Sequence, residues 1–343
     1  MLKHLSFFAT SVLVLTLVGS NAWADITEFD LPHPNSGAGN IIVGPDGNLW
    51  FKELNGNRIG RFNLADSTIS ELELPNPNSG PEALTVGPDN NLWFTEYYGN
   101  RIGTITPDGN ITEFALPNPG SGPEGITQGP DGNLWFTEYL GSRIGMITPQ
   151  GDIVEFHIPT ANSQPFGITA GPDGNLWFTE NNANRIGQIA TDGVILAEYV
   201  VPTPESRPLG ITTGPDGNIW FTEWNGNKIG RLYVRTPANH LLITAAATAV
   251  SGTPFDVTVT ALDPYGKIDT NYQGTATFST TDADSGVVLP ADYTFTTGDN
   301  GDNGVHTFPH GITLITAGDQ TLTFTDKASG LTGSATVTVG PSP

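Results

Sequence analysis

The sequence of 343 residues contains no cysteine. Disulfide bonds, cysteine-ligated metal sites and catalysis by a thiolate are therefore excluded. Basic residues are also scarce, since 13 lysines and arginines stand against 35 aspartates and glutamates, which gives a net charge of −22. Phosphate backbones and anionic lipids repel such a polyanion, so nucleic acid is not expected as a partner. Small-molecule, sugar and protein ligands remain open, and so does the oligomeric state.

Long apolar runs are missing from the chain except at its N-terminus. There "LSFFATSVLVLTLVG" follows Lys3, and "AWA" at 22–24 carries small residues at the two positions that define a cleavage site. This pattern is typical of a secretory signal peptide over residues 1–24. No later run reaches the ~20 apolar residues of a transmembrane helix. We expect a protein that is secreted, periplasmic or attached to the cell surface after cleavage near Ala24.

A ten-residue segment close to "GPDGNLWFTE" occurs five times, and its tryptophan recurs every 42 or 43 residues. The five tryptophans are Trp50, Trp93, Trp135, Trp177 and Trp220. A fixed period of this length in a Gly- and Pro-rich sequence with alternating hydrophobicity indicates propeller blades or a solenoid. Alternation and turn residues divide each repeat into four short strands, which we call a, b, c and d.

Strand b carries apolar residues on both faces, with Leu and Phe on one and Trp and Thr on the other. A sheet that is apolar on both faces packs between two neighbouring sheets, as propeller blades do. A d-strand pattern, "ITEF" at 26–29, precedes the first a strand, and the last repeat has no d strand after it. We therefore predict an all-β fold with a β-propeller of five four-stranded repeats over residues 25–235, in which the N-terminal strand completes the last blade. The alternative is an incomplete arc whose ends need a partner.

The repeat stops after Tyr233, and residues 238–343 contain neither Trp nor Glu. Alternating runs such as "FDVTVTAL" and "QTLTFTD", separated by turn residues, predict a β-sandwich of about seven strands. The segments "PFDVTVTALDPYGK", "VLPADYTFT" and "GVHTF" resemble immunoglobulin-like repeat domains of bacterial surface and secreted proteins, which implies a spacer or adhesion role. The segment "GDNGDNG" at 298–304 predicts a hairpin tip, and an oxygen-rich calcium loop is the alternative.

Each repeat also carries an acidic and a basic residue at fixed spacing across the hairpin between strands b and c. The pairs are Glu53/Arg58, Glu96/Arg101, Glu138/Arg143, Glu180/Arg185 and Glu223/Lys228. A single reaction has no use for five equivalent carboxylates. We therefore predict one structural ion pair in each blade, and we expect the repeated Asp of "GPDG" to shape its turn rather than to bind metal.

Function is expected where the repeats differ, near the propeller axis. The position just before strand a holds Gly39, Glu82, Glu124, Phe166 and Leu209. The two glutamates belong to neighbouring blades, so they either bind a divalent cation such as Mg²⁺ or Ca²⁺, or one of them keeps its proton through a raised pKa. Alternatively, both are solvated at a wide rim.

A second variable position follows the repeated Glu of strand b. It holds Leu54, Tyr97, Tyr139, Asn181 and Trp224. Exposed aromatic rings at the mouth of a channel suit stacking on a sugar or an aromatic ligand. The alternative is that these rings pack against the next blade.

The tandem pattern "GPDGNLWFTE…GNRIGxITPDGxITEFxLPxPxSGPxGIT" resembles the streptogramin B lyases, also called virginiamycin B lyases, over about residues 26–233. The resemblance implies a propeller, which in that family has seven blades, and magnesium-dependent elimination that opens a cyclic depsipeptide at an ester bond. The family's general-base His follows the Pro before strand a, where this chain has no His. The family's functional Glu follows strand b of the last blade, where this chain has Trp224.

Two classes of function follow. The first is recognition of a sugar, peptide or protein at the channel mouth, for which the candidate residues are Gly39, Phe166, Leu209, Tyr97, Tyr139 and Trp224. The second is a divalent-metal-dependent carbon–oxygen lyase or lactonase that acts on a cyclic ester or depsipeptide. In that case Glu82 and Glu124 are the candidate catalytic and metal-binding residues, and one of them replaces the family's base.

Overall fold

The computed structural model describes residues 26–342, and every regular element in this range is a β-strand. The predicted signal peptide lies outside the described residues. Between residues 26 and 342 there is no helix with the length and apolar character needed to cross a membrane.

Each of the first four repeats forms one antiparallel sheet whose strands follow chain order. The first sheet contains β1 (Ala38–Val43), β2 (Leu49–Glu53), β3 (Arg58–Asn63) and β4 (Thr68–Glu73). The second contains β5 (Pro81–Val86), β6 (Leu92–Glu96), β7 (Arg101–Ile105) and β8 (Ile111–Ala115). The third contains β9 (Pro123–Gln128), β10 (Leu134–Glu138), β11 (Arg143–Ile147) and β12 (Ile153–His157). The fourth contains β13 (Pro165–Ala170), β14 (Leu176–Glu180), β15 (Arg185–Ile189) and β16 (Ile195–Val200).

The fifth repeat forms a sheet of only three strands, β17 (Pro208–Thr213), β18 (Ile219–Glu223) and β19 (Lys228–Leu232). The prediction that the N-terminal strand completes this sheet is wrong. Residues 26–29 form no strand, and Phe29 instead packs edge-on against Phe62 of the first sheet, with 4.8 Å between ring centroids. The five sheets therefore form an arc with two ends, which is the alternative that the sequence allowed.

The core of the arc is a set of four equivalent clusters between successive sheets. In each cluster the Trp of one sheet and the Ile of its third strand pack against the Phe and the Leu of the next sheet's second strand, with Ile219 in place of Leu in the last sheet. The cluster between the second and third sheets contains Trp93, Ile102, Leu134 and Phe136, which are all fully buried. Equivalent clusters join the other successive pairs. The apolar residues on both faces of strand b, noted in the sequence, are thus both used.

The repeated Asp holds the tryptophan in place. In the fourth sheet, the backbone N–H of Asn175 and the indole Nε1–H of Trp177 donate to Asp173 Oδ1 at 3.3 and 3.1 Å. Gly174 takes a φ of +78°, which Gly adopts without strain, and Asn90 takes the same turn position in the second sheet at +61°. The decamer therefore encodes a turn and a buried tryptophan rather than a binding site.

At the two ends of the arc, side chains are exposed whose equivalents in the interior sheets are buried. Ile229 of the last sheet is 65% exposed, whereas its equivalent Ile144 is fully buried. Ile41 of the first sheet is 61% exposed, whereas its equivalent Leu84 is 6% exposed. An open apolar depression of about 710 Å³ lies on the face of the first sheet that no other sheet covers. It is lined by Leu31, Leu49, Phe51 and Phe62, among others.

Residues 240–340 form two further sheets around a separate hydrophobic core. One sheet contains β20 (His240–Ala245), β22 (Phe255–Leu262) and β25 (Val305–Ile312). The other contains β21 (Thr248–Val250), β27 (Thr332–Gly340), β26 (Gly318–Asp326), β23 (Thr275–Thr280) and β24 (Tyr293–Thr294). The core between them includes Phe278, Phe308 and Phe324. The likeness of this unit to immunoglobulin-like domains remains a prediction.

The segment at 298–304 connects β24 to β25, which lie in different sheets and do not pair with each other. The prediction of a hairpin tip is therefore wrong. Asp302 accepts hydrogen bonds from the hydroxyl of Tyr293 at 2.9 Å and from the backbone N–H of Thr296 at 2.8 Å. His306 Nδ1 also lies 2.6 Å from Asp302. The oxygens of Asp302 are thus used by groups of the loop and of the two strands that it connects.

The exposure of the last sheet can be tested by comparing two equivalent isoleucines. Ile144→Ala should lower the free energy of unfolding by about 2–5 kcal/mol, because it opens a cavity in a packed interface. Ile229→Ala should change it by less than about 0.5 kcal/mol, because the side chain is largely in solvent. Urea titrations followed by tryptophan fluorescence measure both. An equal loss in the two variants would mean that the last sheet is covered in solution.

Candidate functional site

Charged side chains from three neighbouring sheets meet near the axis. The first strands of successive sheets contact one another, so they form the inner wall of the arc. Glu82 on β5 and Glu124 on β9 occupy the variable position of this wall. Lys52 Nζ, from the end of β2, donates to Glu82 Oε2. The two glutamates predicted to be neighbours are therefore brought together, with a lysine that the sequence analysis did not identify.

Lys52 stands where the other repeats have threonine, so the first decamer ends in "FKE" instead of "FTE". In the next two sheets the threonine hydroxyl donates to a backbone carbonyl of the following sheet, Thr95 to Glu124 O and Thr137 to Phe166 O, each at 2.7 Å. Lys52 reaches the same neighbouring strand but pairs with the Glu82 side chain. The departure of one repeat from the others was the signal that could have identified Lys52.

The two glutamates have different environments. Burial, followed by the negative charge of Glu82, raises the pKa of Glu124 to about 7, and Lys52 only partly offsets this. Burial and the charge of Glu124 also raise the pKa of Tyr97. Near neutral pH, Glu124 can therefore donate a hydrogen bond as an acid or accept a proton as a base.

Three aromatic side chains continue from one sheet to the next beside these charges. The ring centroids of Tyr97 and Tyr139 are 6.4 Å apart, and those of Tyr139 and Phe166 are 6.3 Å apart. The hydroxyl of Tyr139 donates to Gln164 Oε1 at 3.1 Å. Tyr139 thus packs against the following blade, as one of the two alternatives required, and all three rings remain partly exposed. We call Lys52, Glu82, Glu124, Tyr97, Tyr139 and Phe166 the axial cluster.

The remaining predicted ligand residues lie outside this cluster. Trp224 is 72% exposed on the last sheet, and its ring makes no aromatic contact among residues 26–342. Leu209 contributes its carbonyl, which accepts from the Thr179 hydroxyl at 2.8 Å. Gly39 lines the depression at the open end of the first sheet, close to the aliphatic part of Lys52.

The axial cluster does not fit a divalent-cation site. Two carboxylates are the only acidic ligands that it offers, and Lys52 already supplies a positive charge to Glu82. In the part of the chain that the structure describes, no group of three or more His, Asp or Glu side chains could hold a metal ion.

The predicted ion pair between the repeated Glu and Arg is confirmed in three of the five blades. Ion pairs join Glu53 to Arg58 at 2.9 Å, Glu96 to Arg101 at 3.9 Å and Glu138 to Arg143 at 2.7 Å.

The predicted ion pair is wrong for the last two blades. Arg185 instead lies 3.7 Å from Glu198, while burial and the neighbouring Glu198 raise the pKa of Glu180 to about 8. A protonated Glu180 needs no counter-ion. Lys228 donates to the hydroxyl of Thr203 at 2.6 Å and is exposed, because its sheet has no fourth strand to cover it.

Comparison with known proteins identifies the family of this chain. The family model described as the virginiamycin B lyase family matches residues 13–264. The chain belongs to the virginiamycin B lyase family. The crystal structure of a catalytically inactive histidine-to-alanine variant of virginiamycin B lyase from Staphylococcus aureus, with quinupristin, is 49% identical to this chain. The match covers 61% of this chain and 70% of that chain, with a TM-score of 0.58.

A second solved structure, described as a streptogramin B lyase, is 48% identical and matches over 61% of this chain and 69% of that chain, with a TM-score of 0.58. A comparison with curated proteins gave no match. The alignment supports the propeller prediction for the repeats. None of the residues at the variable axial position is a histidine; they are Gly39, Glu82, Glu124, Phe166 and Leu209.

The raised pKa of Glu124 predicts a pH-dependent stability. Its ordinary pKa of 4.5 applies to the unfolded chain, so the unfolded chain loses this proton at lower pH than the folded one. Stability should therefore fall as the pH rises from about 4.5 through about 7. Glu124→Gln removes this penalty and should raise the Tm relative to the wild type by about 2–6 °C at pH 8, with a smaller difference at pH 5. Scanning calorimetry of both proteins at pH 5 and pH 8 measures the two Tm differences.

Glu73→Gln is the matched control, because Glu73 is exposed on β4. It should leave the Tm difference between pH 5 and pH 8 as in the wild type. If Glu124→Gln behaves like this control, Glu124 is an ordinary solvated carboxylate.

Proposed function

We propose that this member of the family recognises an uncharged, hydrogen-bonding ligand such as a sugar or a polar peptide at the axial cluster. The observation that supports the proposal is the placement of a carboxyl group that can be protonated near neutral pH beside partly exposed aromatic rings. A protonated Glu124 donates to a ligand oxygen, and the Lys52–Glu82 pair offers both a donor and an acceptor. The rings of Tyr97, Tyr139 and Phe166 supply apolar contact area.

The charge of the chain favours the same class of ligand. The net charge of −22 disfavours the approach of small anionic ligands in general. Within the axial cluster, Lys52 is already paired with Glu82, so it offers no free positive charge to an anion. We further propose that the protein acts outside the cytoplasm, because its N-terminal sequence resembles a signal peptide.

Binding to a panel of immobilised neutral oligosaccharides, followed by calorimetric titration of the tightest one, tests this proposal. Tyr139→Ala should weaken binding by about tenfold, since aromatic contacts at the centre of a site carry about 1.4 kcal/mol or more. Trp224→Ala is the matched control, because this tryptophan is exposed at the equivalent position of the last repeat but lies outside the cluster. A loss of binding in the control alone would place the site elsewhere.

A second candidate function is elimination at an ester, which the 49% identity with a lyase and the raised pKa of Glu124 favour. Glu124 would remove the proton from the carbon next to the scissile carbon–oxygen bond. The electron pair of that C–H bond forms a carbon–carbon double bond, and the carboxylate leaves with the electrons of the C–O bond. The proton remains on Glu124, and no water is consumed.

Incubation with quinupristin followed by mass spectrometry distinguishes this candidate from recognition. Elimination gives a ring-opened product of unchanged mass, whereas hydrolysis adds one water. If Glu124 is the base, Glu124→Gln should lower the rate about a hundredfold, and Glu73→Gln should leave it unchanged. Intact quinupristin after prolonged incubation would reject the lyase and leave the recognition proposal standing.

A further inference from the structure

The last sheet has an unpaired edge. In the fourth sheet, β15 pairs on its outer side with β16, so that Arg185 faces Val200 and Ile186 faces Tyr199. The equivalent strand β19 pairs only with β18 among the described residues. The backbone N–H and C=O groups along its outer edge are therefore free to receive another strand.

The N-terminal segment has the sequence of such a fourth strand but does not form one. Its residues Ile26, Glu28, Phe29 and Leu31 occupy the repeat positions of Ile111, Glu113, Phe114 and Leu116. In the second sheet, Phe114 stacks on Trp93 at 5.8 Å, and Leu116 is buried in the cluster with the third sheet. Ile26 is instead 94% exposed and Phe29 47% exposed. This segment matches the last strand of a sheet that the described residues do not contain.

The two ends of the arc are the two halves of one interface. The last sheet presents Trp220 and Ile229, which in the other sheets pack against the following sheet. The first sheet presents Ile41, Leu49 and Phe51, which correspond to the residues that receive a preceding sheet. A covering unit must therefore carry the Leu and Phe face of the repeat on one side and its Trp and Ile face on the other.

The size of the covering unit follows from the comparison with the S. aureus lyase. The matched 61% of this 343-residue chain corresponds to 70% of that chain. The 30% of the lyase left unmatched equals about two repeats of 42 residues. Two sheets is too little room for a second copy of this chain, which would bring five.

We propose that the exposed faces of the first and last sheets, the edge of β19 and residues 26–31 together form a docking surface for a polypeptide that presents two further sheets of this repeat. The partner begins with an acidic strand that pairs with β19, because Lys228 and Arg231 are exposed there. The residues equivalent to Lys228 in the third and fourth sheets are Arg143 and Arg185. Each lies within 4.0 Å of a glutamate on the fourth strand of its sheet, Glu155 and Glu198 respectively. The partner's last sheet is completed by residues 26–29 of this chain.

Such a partner would also complete the inner wall. Its two inner strands would lie between β17 and β1, next to Leu209 and Gly39. The variable positions of those strands would then face the axial cluster, so the site would be built from two polypeptides. This consequence does not depend on which ligand the cluster recognises.

Adding a two-repeat polypeptide to the full chain tests the docking surface directly. The probe is residues 111–190 of this chain, which supply one fourth strand, one whole sheet and three strands of a second. Sedimentation velocity should show a one-to-one complex. Ile41→Asp and Ile229→Asp should each weaken the complex at least about tenfold, since each places a charge in an apolar interface. Val154→Asp, on the outer strand of the third sheet, should have no effect.

A second measurement decides the question if the isolated probe does not fold. Repeating residues 111–194 once after residue 194 gives a chain of seven repeats, and repeating residues 153–194 alone gives six. The seven-repeat chain should have a Tm about 5–10 °C above both the six-repeat control and the wild type, because only it joins the two ends. No difference between seven and six repeats would overturn the proposal. A wild-type dimer that Ile229→Asp converts to a monomer would overturn it as well, in favour of a second copy.

Discussion

The contact between a tryptophan and isoleucine of one sheet and a phenylalanine and leucine of the next determines the rest of this structure. Four such contacts hold the five sheets in an arc. The tryptophans and phenylalanines that form these contacts are at most 7% exposed. The turn before each tryptophan fixes its ring through one aspartate, so the same ten residues build both a sheet and its interface. Because stacking is radial, a change in any one repeat appears at a defined place around the axis.

The axial cluster is a consequence of this stacking. Glu82 and Glu124 are 42 residues apart in the sequence and become neighbours because their strands belong to successive sheets. Lys52 joins them because side chains at this position of strand b reach strand a of the next sheet. The threonine hydroxyls at the same position of the second and third sheets do so as well. The cluster therefore carries chemistry at positions where the scaffold tolerates variation, and the repeated glutamates beneath the hairpins serve the scaffold.

Much of this organisation was predictable from the sequence, because the period of the repeat and the apolar residues on both faces of strand b are visible there. The five sheets, the turns at Gly174 and Asn90, and the proximity of Glu82 and Glu124 follow from the pattern alone. The open ends of the arc did not follow, because the pattern of residues 26–29 identifies a fourth strand without identifying its partner sheet. The ion pair of Glu180 failed for a related reason, since spacing shows which groups are near but not that burial leaves a carboxyl protonated.

Hydrogen–deuterium exchange along β19 tests the open arc most directly. In an open arc, the backbone N–H groups on the outer edge of residues 228–232 should exchange at rates close to those of unstructured peptide. The equivalent groups of residues 185–189, which pair with β16, should be strongly protected. Equal protection of the two segments in the isolated protein would show that the edge of β19 is already paired, and would contradict the open arc with two uncovered ends.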